Sequence, residues 1–558
     1  MEFRELLDHQ HSSARGSIPR NTLRTTTVLL ALVFVGAPLL TSVIRVLPFP
    51  IPESEFVALV IVGSIYGAYL LYSQNLIIGL VTSLFVLMTV RVNVPLGPAE
   101  MLLGGIGPNV WVVHIPMIGL IAYYVLDEGF PSLHLAHHLF FGFVAWSVLT
   151  AFFGHGPRPD MAIWFSIWVF QAGVVFVLAS WIIADDLISF RTGLSVVVLT
   201  TITHSLLGVL QFFNGGSLGF PHLGESGRRA VGTISLPLLG TNPIGPFVNG
   251  FTYGGPLAVL ITITFPITIV LAIRTKGHTR TGFIIATLLL VFIQRVTGWD
   301  AARGAIIFGV IVLAIATAWW CRDLIDQLEQ NARAAVSAGA VTIIWAGTIL
   351  FPSSESGSTS TYAGSPPPTT TTHNGSSSST ITTHNGSSSS ATTTTSASTS
   401  SSASTPDQSV DAYLSSVDTI SIPLFDASNL GIRLQQYLVA VDITSTYPLF
   451  GIGGANFYYV SDDIGFKTNY FMHSMYFEVL VETGLPGFLL YVGTLCAIIL
   501  AGWSALHRES TDTLLVVGVI AGLLGGMAHF FWNPQMTRLA AFFPFWAVAG
   551  LLVGYARR

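Results

Sequence analysis

The stretch Pro256–Arg280 reads PLAVLITITFPITIVLAIRTKGHTR. No charged residue interrupts 251–273, and then Arg274, Lys276 and Arg280 crowd into one short run. About 20 apolar residues in a helix span the roughly 30 Å of bilayer hydrocarbon. Short loops rich in Lys and Arg stay on the cytoplasmic side. The stretch therefore predicts a membrane helix whose C-terminal loop faces inward.

Outward from this span the pattern recurs. Apolar runs lie near 25–47, 54–72, 74–92, 109–126, 135–153, 161–184, 192–213, 280–298, 302–320, 334–351, 484–505, 512–531 and 537–556. Charged residues make up only 9% of the chain and mean hydropathy is +0.67. A soluble domain has roughly 25% charged residues to cover its surface. The fold class is thus an all-α, polytopic transmembrane helix bundle. About 14 helices are expected (range 12–14), with a large outer loop before the twelfth.

With the 274–280 loop inside, alternation places both termini in the cytoplasm. Residues 1–24 form the N-terminal tail, and the first apolar run is a retained helix, since no small-residue cleavage site follows it. Helices fill 25–213, 251–351 and 484–558, with outer segments at 214–250 and 352–483. Residues 352–406 are rich in Ser and Thr and repeat TTHNGSSSS from Thr371 and Thr382. Such a stretch has nothing apolar to bury and reads as a disordered tether, with sequons at Asn374 and Asn385. Order resumes over 407–483. There Leu430, Leu434, Tyr437, Leu438 and Val441 recur at helical spacing and predict an amphipathic helix on the bundle's outer surface.

A net charge of −5 carries no nucleic-acid footprint. Cys321 and Cys496 fit no metal spacing, and His134, His137 and His138 read as an interfacial cluster, so no metal or cofactor is expected.

Charge near a bilayer is costly unless paired or functional. Three predicted outer groups keep it. Arg228 and Arg229 are adjacent in the first long outer segment, and guanidinium forks suit phosphate oxygens. Arg295, Asp300 and Arg303 flank a tight turn between helices. His473 opens the run HSMYFEVLVETGLPG, residues 473–487. In that run Ser474 is placed to cap a helix that Gly484 and Pro486 end, and Glu478 and Glu482 share one face. A histidine there is suited to take a proton from a hydroxyl at neutral pH.

The third group, with Thr483-Gly484 and Pro486-Gly487, resembles the signature of the O-antigen ligase family, which includes the O-antigen polymerases. That family's earlier elements are similar to Pro448–Phe457 (PLFGIGGANF), to Ala302-Arg303-Gly304-Ala305 and to Arg229-Ala230-Val231-Gly232, in the same order. Ala302 replaces the family's usual Ser.

The resemblance implies transfer of a glycan from a polyprenyl-diphosphate carrier to a hydroxyl of a lipid, glycan or protein acceptor at the outer face of the plasma membrane. It implies His473, Arg303 and Arg229 as catalytic residues, with Arg228, Arg295, Glu478 and Glu482 binding substrate, and no metal. Glu478 or Glu482 would orient His473. Two alternatives stay open beside transfer to such an acceptor: a polymerase joining repeat units, and a transporter or flippase of lipid-linked glycans. Glu53 and Glu55, in the first outer loop, offer a different carboxylate-based transferase site.

Overall fold

The computed structural model describes residues 18–46, 55–73, 75–95, 109–227, 230–236, 240–252, 255–320, 427–461, 471–508, 512–533 and 539–558. Glu53, Cys321, the 334–351 run and the Ser/Thr tether with Asn374 and Asn385 lie outside them. The chain forms two compact units, one of Met1–Ser353 with Ile432–Arg558 and one of Ser354–Gly431. Of the second, the described part is the opening of one helix.

The first unit is a helix bundle. Helix α1 (Ile18–Ala31) runs through a π turn, Leu32–Gly36, into α2 (Ala37–Val46). Then come α3 (Glu55–Ser73), α4 (Leu76–Leu87), α5 (His114–Tyr123), α6 (Leu135–Phe153), α7 (Pro159–Ala184) and α8 (Phe190–Asn214). Next are α9 (Pro256–Arg274), α10 (Gly277–Val296) and α11 (Asp300–Trp320). After the long insertion follow α12 (Ala427–Thr446), α13 (Phe457–Val460), α14 (Met475–Leu506), α15 (Thr513–Trp532) and α16 (Leu539–Arg557). Two small antiparallel hairpins pair Asn93–Pro95 with Asn109–Trp111 and Gly232–Leu236 with Gly240–Ile244.

Among the described residues, ten helices are long and apolar enough to cross a membrane. Three shorter apolar stretches, Ile61–Leu70, Leu76–Leu87 and His114–Leu126, account for three more of the fourteen runs. The protein is an all-α, multi-pass membrane protein.

Lipid tails are as apolar as leucine, so membrane helices pack through small residues that bring backbones close. Helix α16 carries Gly550 and Gly554 on one face. A Cβ at either would meet a carbonyl oxygen of α7, that of Phe176 or of Ser180. Their order shows that α7 and α16 run parallel. Helix α15 uses Gly518, Gly522 and Gly525 against α9 and α11. A Cβ at Gly525 would lie 3.2 Å from the Ala305 oxygen, and one at Gly309 3.1 Å from the Ala521 oxygen, so α11 and α15 are antiparallel.

These pairings sort the helix ends. One end collects the C-termini of α6, α8, α10 and α15 with the N-termini of α7, α9, α11, α14 and α16. The other end carries Arg191, Arg274, Lys276, Arg280, Arg508, Arg557 and Arg558. There Arg274 pairs with Asp512 at 3.1 Å and Arg558 with Asp186 at 2.6 Å.

The histidine cluster sits at this basic end. His134 and His137 cap α6 reciprocally: the Ala136 N–H donates to His134 Nδ1 at 3.2 Å, and the His134 N–H to His137 Nδ1 at 3.0 Å. Burial, then Arg557 and His138, push the His134 pKa down. The interfacial reading thus gains a structural task, and among the described residues no group of three His, Cys, Asp or Glu could hold a metal.

Replacing Gly550 by Leu forces a side chain into the α7 backbone. Overpacking of this kind typically costs 1–3 kcal/mol, so a thermal-unfolding midpoint in detergent falls clearly below wild type, whereas Leu at the exposed Gly304 leaves it near wild type.

Candidate active site

The site gathers at the end opposite the basic loops. Its frame begins at Gly484. The backbone there adopts φ 67° and ψ −176°, which breaks α14 into two segments. Only glycine takes this conformation without strain. The expected stop is therefore real, but the chain resumes helix at once through Pro486, and Ser474 sits at the N-cap position with no capping bond from its hydroxyl.

The run Pro448–Phe457 docks on this break. The Ile452 N–H donates to the Val481 oxygen at 3.0 Å, Gly453 N–H to Glu482 O at 2.9 Å, and Leu485 N–H to Pro448 O at 2.8 Å. A Cβ at Gly451 would strike Val481 O, and one at Gly484 would strike Leu449 O. Asn456 ties the same run to the α6–α7 loop: its Oδ1 accepts from Arg158 N–H at 2.8 Å, and its Nδ2 donates to Arg158 O at 3.1 Å. The two sequence elements are thus one interlocked structure.

Glu482 belongs to that lock. It is buried, and its Oε1 accepts the Phe457 N–H at 3.2 Å. Glu478 is buried one turn away, with Oε2 enclosed. Both lie inside the protein, and Glu482 works on the loop.

His473 is half-buried just before α14. Its backbone N–H donates to Gln436 Oε1 at 2.9 Å, and its Nδ1 lies 3.1 Å from the same oxygen. Gln436 Nε2 donates to the Phe471 oxygen at 3.0 Å. So the residue that holds the histidine comes from α12. Of that helix, Gln436 and Ala440 are buried, while Leu438 and Val441 are 50% and 57% exposed. The apolar stripe is thus split: Tyr437 packs inward, and Leu438 and Val441 face out. Ala440 packs with Ile452, Phe457, Met472 and Val481, which seats α12 on the docked loop.

Cations converge on the same end. Arg303 pairs with Asp300 at 2.8 Å on the first turn of α11, and Arg295 closes α10. Arg433, one turn before Gln436, lies over the Trp532 ring at 5.5 Å. Burial lowers the Arg433 pKa from its ordinary value, and Tyr437 and Asp300 act against that. Asp300, paired with Arg303, also acts electrostatically on Arg433. Tyr437 stacks on Phe477 at 4.4 Å and donates to the Phe531 oxygen at 3.2 Å, fixing α12 to α14 and α15.

Arg228 and Arg229 lie outside the described residues. Their neighbours are anchored on both sides. Glu225 is buried, accepting from Gln211 Nε2 at 2.9 Å and from the Phe220 N–H at 2.6 Å. Val231 donates its N–H to Ile244 O at 2.9 Å, and its side chain fills the space beside Gly298, in the α10–α11 turn.

Residues 261–492 match the family model described as O-antigen ligase. Over this stretch, less than half of the chain, the protein is similar to the O-antigen ligase family. That family is one of glycosyltransferase-like membrane enzymes. The matched stretch includes Arg295, Arg303, Arg433, Gln436, His473, Glu478 and Glu482, while Arg228 and Arg229 precede it. No curated protein matches the chain.

Arg433 and Gln436 went unread in the sequence because an apolar stripe explained their helix. The available signal was their spacing: three apart on a helix, they share a face that also carries Ala440.

Substituting Gly484 by Ala strains the backbone and drives a methyl group into Leu449 O. Strain of this kind costs about 1–3 kcal/mol. The expected outcome is a lower unfolding midpoint and faster proteolysis near 447–457, measured on purified protein in detergent.

Proposed function

We propose that this protein transfers a glycan from a polyprenyl-diphosphate carrier to a hydroxyl acceptor at the outer face of the plasma membrane. The observation that carries this reading is the convergence of Arg303, Arg433 and the Gln436-held His473 at the helix ends opposite the basic loops. In this reading both termini are cytoplasmic, as the charge asymmetry of the loops favours.

In the reaction the acceptor oxygen bonds to the anomeric carbon, and the bond from that carbon to the phosphate oxygen breaks. The electron pair leaves with the lipid diphosphate, and His473 takes the hydroxyl proton. Arg303 and Arg433 offset the charge that grows on the leaving group. Arg229 joins them in that task. Arg228 and Arg295 add positive charge around the diphosphate. Glu482 supports the site through its bond to the Phe457 N–H rather than through substrate. Arginine forks are suited to this electrostatic task without a metal.

Purified protein in lipid with a lipid-linked glycan donor and a hydroxyl acceptor is expected to release free lipid diphosphate and extend the acceptor. His473→Ala is expected to lower the rate by about 10²–10⁴-fold, the usual scale of general-base catalysis. Arg303→Ala should cost about 10²–10³-fold, as loss of a charge-stabilising donor does. Donor binding without bond cleavage by the wild type would favour a transporter instead.

Orientation has its own check. In a cysteine-free background, a membrane-impermeant maleimide added to whole cells should label a cysteine at Ser445 and spare one at Thr279; both positions are exposed. The reverse pattern would invert the topology.

A further inference from the structure

One oxygen atom meets His473 twice. Gln436 Oε1 accepts the His473 backbone N–H at 2.9 Å and lies 3.1 Å from ring Nδ1. The amide's orientation is decided by its other end, where Nε2 donates to the Phe471 carbonyl at 3.0 Å. Turning the amide over would set an oxygen against that carbonyl and an NH2 against the His473 N–H. An amide oxygen only accepts. The ring nitrogen facing it must therefore carry the hydrogen, and in the neutral imidazole the other nitrogen keeps the lone pair.

We infer that Gln436 is a positioning residue that holds His473 as its Nδ1–H tautomer, so that Nε2 is the nitrogen that accepts the proton of the incoming hydroxyl. This rests on the reading of His473 as the base. Gln436 is suited to the task because it is fully buried and its helix is pinned at Ala440 and Tyr437. Its amide is also uncharged. Paired catalytic histidines are commonly oriented by a carboxylate. Here a carboxylate would lie one helical turn from Arg433, would compete with the diphosphate for the arginines, and would repel the leaving group. An amide supplies the same acceptor without that conflict. The buried Glu482 bonds the Phe457 N–H, whereas Gln436 on α12 is the side chain that meets the His473 ring.

The test reads the tautomer directly. The full-length protein is labelled with ¹⁵N-histidine in lipid nanodiscs, and the signal absent from the His473→Gln protein identifies His473. The wild type is expected to show a protonated Nδ1 and a lone-pair Nε2. Gln436→Leu keeps the bulk but removes the oxygen. It should populate the Nε2–H form and lower kcat for glycan transfer by about 10²-fold or more, with KM within about twofold of wild type, because the diphosphate contacts remain. A wild-type Nε2–H signature would overturn the inference. So would a Gln436→Leu protein that keeps both the wild-type signature and the wild-type kcat. The expected tautomer in a protein that transfers no glycan from any lipid-linked donor would sink the functional reading and not the positioning.

Discussion

At Gly484 the backbone turns to φ 67°, a conformation that L side chains resist, and the membrane helix opens there just long enough to accept another strand of chain. The freed carbonyls of Val481 and Glu482 receive the N–H groups of Ile452 and Gly453, and Leu485 N–H returns a bond to Pro448. A broken helix would otherwise leave polar backbone without partners near the bilayer, which costs several kcal/mol per group. The docked loop satisfies them. Phe457 then reaches the Glu482 carboxylate, Asn456 reaches the α6–α7 loop, and Ile452 and Phe457 build the floor on which Ala440 of α12 rests. The position of His473 follows from all of these, since Gln436 is carried by α12.

Below this lock, the bundle adds close backbone contacts to its buried apolar core. The glycines of α15 and α16 lie against carbonyls of α9, α11 and α7. Several buried polar groups on and beside α8 are paired. His204 holds Thr89 Oγ1 at 2.8 Å and accepts from Phe251 N–H at 3.2 Å, while Gln211 binds Glu225 and the backbone of Asn249 and Gly250. These bonds tie Glu225 and the Asn249–Phe251 backbone to α8.

Much of this was legible in the sequence. Long uncharged runs ending in basic loops announce membrane helices, because nothing else of that composition is stable in lipid. Arg303 and His473 stand out in the sequence because charge beside a bilayer is costly unless paired or functional. The helix around 429–445 was legible too, yet its orientation was not. Periodicity reveals that Leu438 and Val441 share a side, but not whether that side meets protein or lipid. The exposed leucine and the buried glutamine reverse the rule that holds in water. Glu482 shows the same limit: its bond to a backbone N–H twenty-five residues upstream is invisible in the sequence.

The sequence by itself determined the class of the fold, the clustering of its basic loops and the presence of a family's motifs, because hydropathy, charge and local backbone preference act along the chain. Only the tertiary structure decided that Gly484 is a docking notch as well as a stop, that Gln436 holds His473 and that Arg433 lies within the electrostatic reach of Asp300. Those depend on pairs far apart in the sequence, such as Asp300 with Arg433 and Gln436 with His473. No local pattern encodes them, since each partner is an ordinary residue until the fold brings it within hydrogen-bonding or Coulombic reach.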